Sequence, residues 1–190
     1  EFIAQDLFAF QQEEIENIYR MYRTSITNDE VRDLLNKLVL DNIHNTDRLI
    51  QYLKLKGWIK TPPIYLDSPA NINEKASVVD IANLWDHLTH RYDNKKTTEV
   101  IKAFVFDGDL QVTLDMGLKI LDKQITLLEN ELNNFAVPLP NKPADVSMTP
   151  EDIQITDDKH MFRTLLDGMQ GAGFLHIQPI KECTFNDRLR

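Results

Sequence analysis

Carboxylates and histidines occur at helical spacing in two parts of this 190-residue chain. Asp41 and His44 are three positions apart, and Asp86, His87 and His90 fall within a stretch of five. Side chains three or four positions apart lie on the same face of a helix, so such residues can ligate one metal ion. Helical bundles build di-metal sites from inward Glu residues and Glu-x-x-His pairs, and these sites support oxidation chemistry.

The helical phase of these residues nevertheless favours solvent. The sequence contains no Glu-x-x-His pair. His44 lies about 160° around the helix from Thr46, which belongs to the apolar stripe, and Asp86 and His90 also fall on the polar side. Glu14 is the best-placed inward carboxylate of the first helix. Solvated side chains are therefore predicted, and the alternative is a surface or interface transition-metal site formed by Glu14, Asp41, His44, Asp86, His87 and His90.

The other residues with reactive potential form no catalytic pattern. Cys183 is the only cysteine, and no second cysteine or evident base lies near it in the sequence. The spacing Gly168-x-x-Gly171-x-Gly173 occurs inside a helical pattern, so close helix approach is a better interpretation than a phosphate loop. A non-enzymatic protein without a cofactor is therefore predicted, with a bound transition metal as the alternative.

Composition narrows the choice of partners. Acidic residues outnumber basic ones by 30 to 21, giving a net charge of −9. This surplus argues against nucleic acid or an anionic membrane as the partner. No apolar run reaches the roughly 18–20 residues of a membrane span. Self-association or binding of another protein is the remaining prediction.

Five helical segments position these side chains. Apolar residues recur with a period near 3.6 over residues 3–26, 29–56 and 110–135. A third helix begins near Ser77. The polar stretch at 93–98 predicts either one long helix with a local bend or two helices that meet there. The last helix begins near Thr156 or Asp157, and Pro179 is expected to kink or end it.

Long helices joined by short turns are typical of an antiparallel bundle. The sequence therefore predicts an all-α protein. It contains two helical hairpins, 3–57 and 77–135, joined by the proline-rich crossover 58–76. Residues 1–140 are expected to form an up-down antiparallel four-helix bundle.

The rest of the chain predicts an additional C-terminal helix. Residues 141–155 form a linker, and residues 156–190 form the helix, which is expected to begin a further hairpin. Thr27-Asn28-Asp29 and Phe185-Asn186-Asp187 are similar, which suggests that the chain end repeats the start of the second helix.

Several short motifs resemble known families of spore-forming bacteria. The first hairpin resembles the spore coat protein F family, and the second resembles a related uncharacterised family of tandem ferritin-like repeats. The segments that carry the resemblance are Gln5-Asp6-Leu7, Asp29–Leu35, Tyr52–Trp58, Asn83-Leu84-Trp85, Asp107–Asp109 and Phe135–Pro140.

This resemblance implies a ferritin-like fold and a link to sporulation, with a cytoplasmic or spore-associated location. No signal peptide is visible, although the chain is expected to begin inside a longer protein. The relatives carry a histidine in the middle of each second helix, where this sequence has Thr46 and Gln124. A non-enzymatic structural or interaction protein resembling a spore coat component is the leading hypothesis. The alternatives are a ferritin-like metal-binding protein or oxidase with a divergent site, and a bundle that binds an apolar molecule.

Overall fold

The computed structural model describes residues 2–59, 64–70, 72–143 and 157–190, and this part of the chain is all-helical. Its only β-pairing is an isolated bridge between Ile64 and Ser77. The helices are α1 (Phe2–Thr24), α2 (Asp29–Leu55), α3 (Val78–Phe104), α4 (Gly108–Asn134) and α5 (Asp158–Glu182).

The ends of α1, α2 and α4 lie within two residues of the predicted ends, and α3 begins one residue after Ser77. α3 is one continuous helix, so the alternative of two helices is wrong. Lys95 of the polar stretch pairs with Asp122 of α4, with charged atoms 2.6 Å apart. Asp107 caps α4 by accepting the Leu110 N–H at 2.8 Å. α5 continues past Pro179 to Glu182, so the proline does not end it there. Thr156 and most of the predicted linker lie outside the described residues.

A first compact unit contains α1, α2 and the chain from Ala172 to Arg190. Its core cluster forms where α1 and α2 pack together, around Ile18, Leu35 and Val39. The end of α5 is attached to α1 by the ion pair of Lys181 with Glu16, at 2.7 Å. The chain after α5 is attached to α2 through further ion pairs, Lys54–Asp187 and Arg190–Asp47.

A second compact unit runs from Ile64 to Gly171 and contains α3, α4 and the first part of α5. Its core cluster consists of Ile101, Phe104, Val105, Leu114 and Met161. The Asp158 carboxylate accepts two backbone N–H groups of the α3–α4 turn at about 3 Å. α1 packs with α2, and α3 packs with α4. The predicted domain bounds and the up-down four-helix arrangement of residues 1–140 stay predictions.

The two hairpin turns and the turn after α5 share one hydrogen-bonding geometry at a fixed interval. The side-chain oxygens of Asn28, Asp107 and Asn186 each accept the backbone N–H of the residue three positions later. Residue 107 lies 79 positions after residue 28, and residue 186 lies 79 positions after residue 107. The helices that follow the first two caps, α2 and α4, each contain 27 residues. Asn28 and Asp107 each satisfy a donor that would otherwise have no partner within the helix, and Asn186 makes the same bond in a turn.

α2 and α4 also end in the same way. Gly57 and Ala136 both adopt the left-handed conformation, with φ of 66° and 57°. In each case the next residue donates its N–H to a carbonyl five positions earlier, at 2.9 Å: Trp58 to Leu53, and Val137 to Leu132. This is the Schellman arrangement, in which glycine is preferred because a Cβ costs about 1–2 kcal/mol.

Exchanging these two residue types is expected to change stability in opposite directions. Ala136→Gly should raise the free energy of unfolding by about 0.5 kcal/mol, because relief of strain exceeds the entropy that glycine adds to the unfolded chain. Gly57→Ala should lower the free energy of unfolding by about 1 kcal/mol, because a Cβ is strained in the left-handed conformation. No atom lies within 4 Å of that Cβ, so no new packing contact offsets the strain. Urea unfolding would measure both, and a destabilising Ala136→Gly would contradict this account.

Candidate functional site

Two of the predicted metal-site residues form a pair on the surface of α3. His90 Nε2 lies 3.6 Å from an Asp86 carboxylate oxygen, one helical turn away, and both side chains are largely exposed. Exposed pairs of this kind contribute little to stability. The predicted solvation of these two residues therefore agrees with their positions.

His87 contacts a buried cation. Arg91 is only 4% exposed, and its Nη2 lies 3.1 Å from His87 Nε2. A guanidinium group has only donors, so His87 Nε2 accepts this hydrogen bond and the neutral ring carries its proton on Nδ1. Burial lowers the pKa of Arg91. A metal ion at His87 Nε2 would therefore have to displace Arg91, a residue that the sequence analysis did not consider.

The remaining predicted residues are on other helices. Glu14 is half-buried on α1, whereas Asp41 and His44 are exposed on α2. Within the described ranges, no three His, Cys, Asp or Glu side chains are grouped so that they could hold a metal ion. The transition-metal hypothesis stays a prediction.

A polar network that the sequence analysis missed joins α3 to α4 and to the segment after α4. The buried Tyr92 hydroxyl donates to Glu129 Oε1 at 2.6 Å. The Lys142 ammonium lies 3.0 Å from the same oxygen and 5.2 Å from the centre of the Tyr92 ring. The Trp85 indole N–H donates to the carbonyl of Pro138 at 3.1 Å. These contacts hold residues 135–142 against α3.

The network predicts a loss of stability in acid. The Tyr92 hydroxyl, and then Lys142, hold the pKa of Glu129 below its ordinary value of 4.5. A carboxylate with a lowered pKa stabilises the fold above its unfolded pKa, and this contribution is lost as the pH falls through the folded pKa. The free energy of unfolding should therefore decline as the pH drops below about 4.5.

Urea unfolding between pH 7 and pH 3 would measure this decline. The free energy of unfolding should fall less steeply with decreasing pH in Glu129→Gln, because glutamine cannot titrate. The same is expected in Tyr92→Phe, which keeps the ring but loses the hydroxyl donor. Slopes equal to that of the wild type in both variants would rule out this role for Glu129.

The outer face of α4 exposes a regular row of apolar side chains. Val112, Met116, Ile120 and Leu127 are 60%, 60%, 55% and 65% exposed. Their spacing places them within a sector of about 80° on one side of the helix. Leu114, Ile125 and Leu132, on the opposite side, are buried. We call Val112, Met116, Ile120 and Leu127 the outer stripe of α4.

No protein-family model matches this sequence, and neither a curated protein nor a solved structure is found to match it. Among the helices that the structure describes, none combines the length and the apolar character needed to cross a membrane. Three features can support a functional inference: the polar network around Glu129, the Asp86–His90 pair and the outer stripe of α4.

Proposed function

We propose that this protein is a non-enzymatic structural or interaction protein, similar in role to a spore coat component, that acts by binding other protein surfaces. The outer stripe of α4 is the observation that carries this proposal. Four large apolar side chains in helical register remain exposed although the opposite face of the same helix already supplies the core. Apolar rows of this kind on a helix are typical of surfaces that another protein covers.

The proposal includes a ferritin-like, up-down four-helix fold built from tandem hairpins. It is supported by the equal spacing of Asn28, Asp107 and Asn186, by the equal lengths of α2 and α4, and by the matching ends at Gly57 and Ala136. Two hairpins whose second helices match in length and capping are suited to pack as a bundle. The resemblance to spore coat proteins adds a spore-associated location to this proposal.

Fractionation of the organism that encodes the chain tests the proposed role. An epitope-tagged copy expressed from its own promoter should be recovered in the coat extract of purified spores. A tagged protein found only as a free monomer, in both growing cells and spores, would contradict the proposal. A tagged cytoplasmic enzyme processed in parallel would control for contamination of the coat extract.

A ferritin-like metal-binding protein or oxidase is the second candidate, and the Asp86–His90 pair is the observation that favours it. A carboxylate and an imidazole are suitable ligands for iron, manganese or zinc, but two ligands leave most positions to other groups. Elemental analysis of protein purified without an affinity tag tests it. At least one metal ion per chain, lost in Asp86→Asn, would support this candidate, and less than one per several chains would overturn it.

A further inference from the structure

We infer that the outer stripe of α4 pairs with the same stripe of a second copy, in an antiparallel homodimer with Met116 on the two-fold axis. This inference rests on the proposed function as an interaction protein and names its partner. It involves only the second compact unit, from Ile64 to Gly171.

The outer stripe is symmetric about Met116. Val112 lies four positions before Met116, and Ile120 lies four positions after it. When two identical helices pack antiparallel about a two-fold axis, each residue faces the residue that is equally distant on the other side of the axis. Met116 therefore faces Met116 of the second copy, and Val112 faces Ile120 in two equivalent contacts. All three are apolar and mostly exposed in the single chain.

The charges flanking these residues are complementary in the same register. Asp109 lies seven positions before Met116 and Lys123 lies seven positions after it, within the sector that holds the outer stripe. The two-fold axis therefore places the Asp109 carboxylate of each copy opposite the Lys123 ammonium of the other, forming two ion pairs. A parallel pairing would instead place Asp109 beside Asp109 and Lys123 beside Lys123.

Asp109 and Lys123 lie within the sector of the outer stripe, whereas Lys119, which is also exposed and unpaired among the described residues, lies about 20° outside it. The side chains of Asp109 and Lys123 are exposed, and neither has an ion-pair or hydrogen-bond partner among the described residues. In contrast, the acidic groups on the flank toward α3 are engaged within the chain. Their partners there are Lys102 for Asp115, Lys95 for Asp122, and Lys142 for Glu129. Asp109 and Lys123 are thus available to pair between copies.

The apolar contact extends to both ends of the interface. Leu127 lies eleven positions after Met116, and Phe106 lies ten positions before it, in the turn that precedes α4. Antiparallel pairing brings Leu127 of each copy to the end of the interface at which Phe106 of the other copy is located. Phe106 is 69% exposed and Leu127 is 65% exposed, so burying them adds apolar area to each end.

Charge reversal with mixing tests this arrangement. Asp109→Lys and Lys123→Asp should each raise the dissociation constant of the dimer about tenfold, because each places like charges together twice. An equimolar mixture of the two variants should dimerise with nearly wild-type affinity, since every lysine then faces an aspartate. The double variant should also dimerise. Sedimentation velocity over a concentration series measures the dissociation constants of the two single variants, their mixture and the double variant. Circular dichroism verifies that each variant is folded.

The apolar centre has a matched control. Met116→Glu should abolish the dimer, because two carboxylates would be buried on the axis, whereas Met169→Glu changes another exposed helical methionine and should leave it intact. A wild-type chain that stays monomeric at its highest soluble concentration overturns the inference. So does a mixture of the charge variants that remains monomeric, or a dimer that no α4 variant weakens. Recovery in the spore coat extract decides the proposed function separately.

Discussion

Phe135→Ala is expected to lower the free energy of unfolding by about 3–5 kcal/mol, the largest effect of any substitution considered for this chain. Phe135 is only 2% exposed and follows the last helical residue of α4. Removing its ring would leave a cavity under residues 135–142, because the backbone there is fixed by the α4 end and by the Trp85–Pro138 hydrogen bond. Urea unfolding followed by circular dichroism would measure the loss.

Phe162→Ala is the matched control for this substitution. Phe162 is a phenylalanine on α5 that is 52% exposed, so its truncation removes little buried area and should cost less than about 1 kcal/mol. Equal losses in the two variants would show that Phe135 is not the anchor of this segment.

Gly173→Ala should destabilise the first unit by about 1–3 kcal/mol, because it forces a displacement in packed surroundings. The Tyr19 hydroxyl occupies the position that a Cβ on residue 173 would take. Tyr19 cannot move freely, since its ring packs edge-on against Phe174 with centroids 5.1 Å apart. The Arg23 guanidinium in turn lies 5.0 Å from the centre of the Phe174 ring. A methyl group at residue 173 would therefore push α1 and α5 apart.

The other glycines of α5 provide the control. No atom lies within 4 Å of a Cβ built on Gly171. Alanine favours the helical conformation over glycine, so Gly171→Ala should stabilise the chain by as much as about 1 kcal/mol. Thermal or urea unfolding of the two variants would test the contrast. If Gly173→Ala and Gly171→Ala both raised the free energy of unfolding, the close contact between Tyr19 and Gly173 would be contradicted.

The positions of the helices could be predicted from the sequence because local rules decide them. The apolar stripe of α2 faces the core. Ile43 is half-buried, and the other members of the stripe are buried: Leu35, Val39, Thr46, Ile50 and Leu53. Asn28 and Ser77 cap the helices that follow them. Periodicity and capping are properties of neighbouring residues, and neither requires knowledge of the tertiary structure.

The polar network could not be predicted in this way, because its partners come from distant parts of the chain. Tyr92 is buried on α3, but the partner of its hydroxyl, Glu129, lies 37 positions away. Lys142 reaches the same carboxylate from beyond the end of α4. Helical phase reports which side of a helix a residue occupies, but not which residue faces it.

The outer stripe of α4 was missed for a different reason. The helical period of residues 110–135 comes from the stronger of two apolar rows on α4, which consists of Leu114, Leu118, Leu121, Ile125, Leu128 and Leu132. Val112, Met116 and Ile120 then count as scattered surface residues unless the second row is examined separately. The close approach at Gly173 was anticipated for the glycine cluster as a whole, although only one of its three glycines contacts another side chain in this way.

The 79-residue interval between caps also bears on how genes for such chains change length. A recombination that joins residue 40 directly to residue 120 deletes one interval and falls inside two helices, yet the hybrid helix keeps 27 residues, the Asn28 cap and the left-handed end at Ala136. The reverse exchange adds an interval with the same result. Unequal crossing-over within these helices can therefore remove or add a hairpin while leaving every helix length and cap intact.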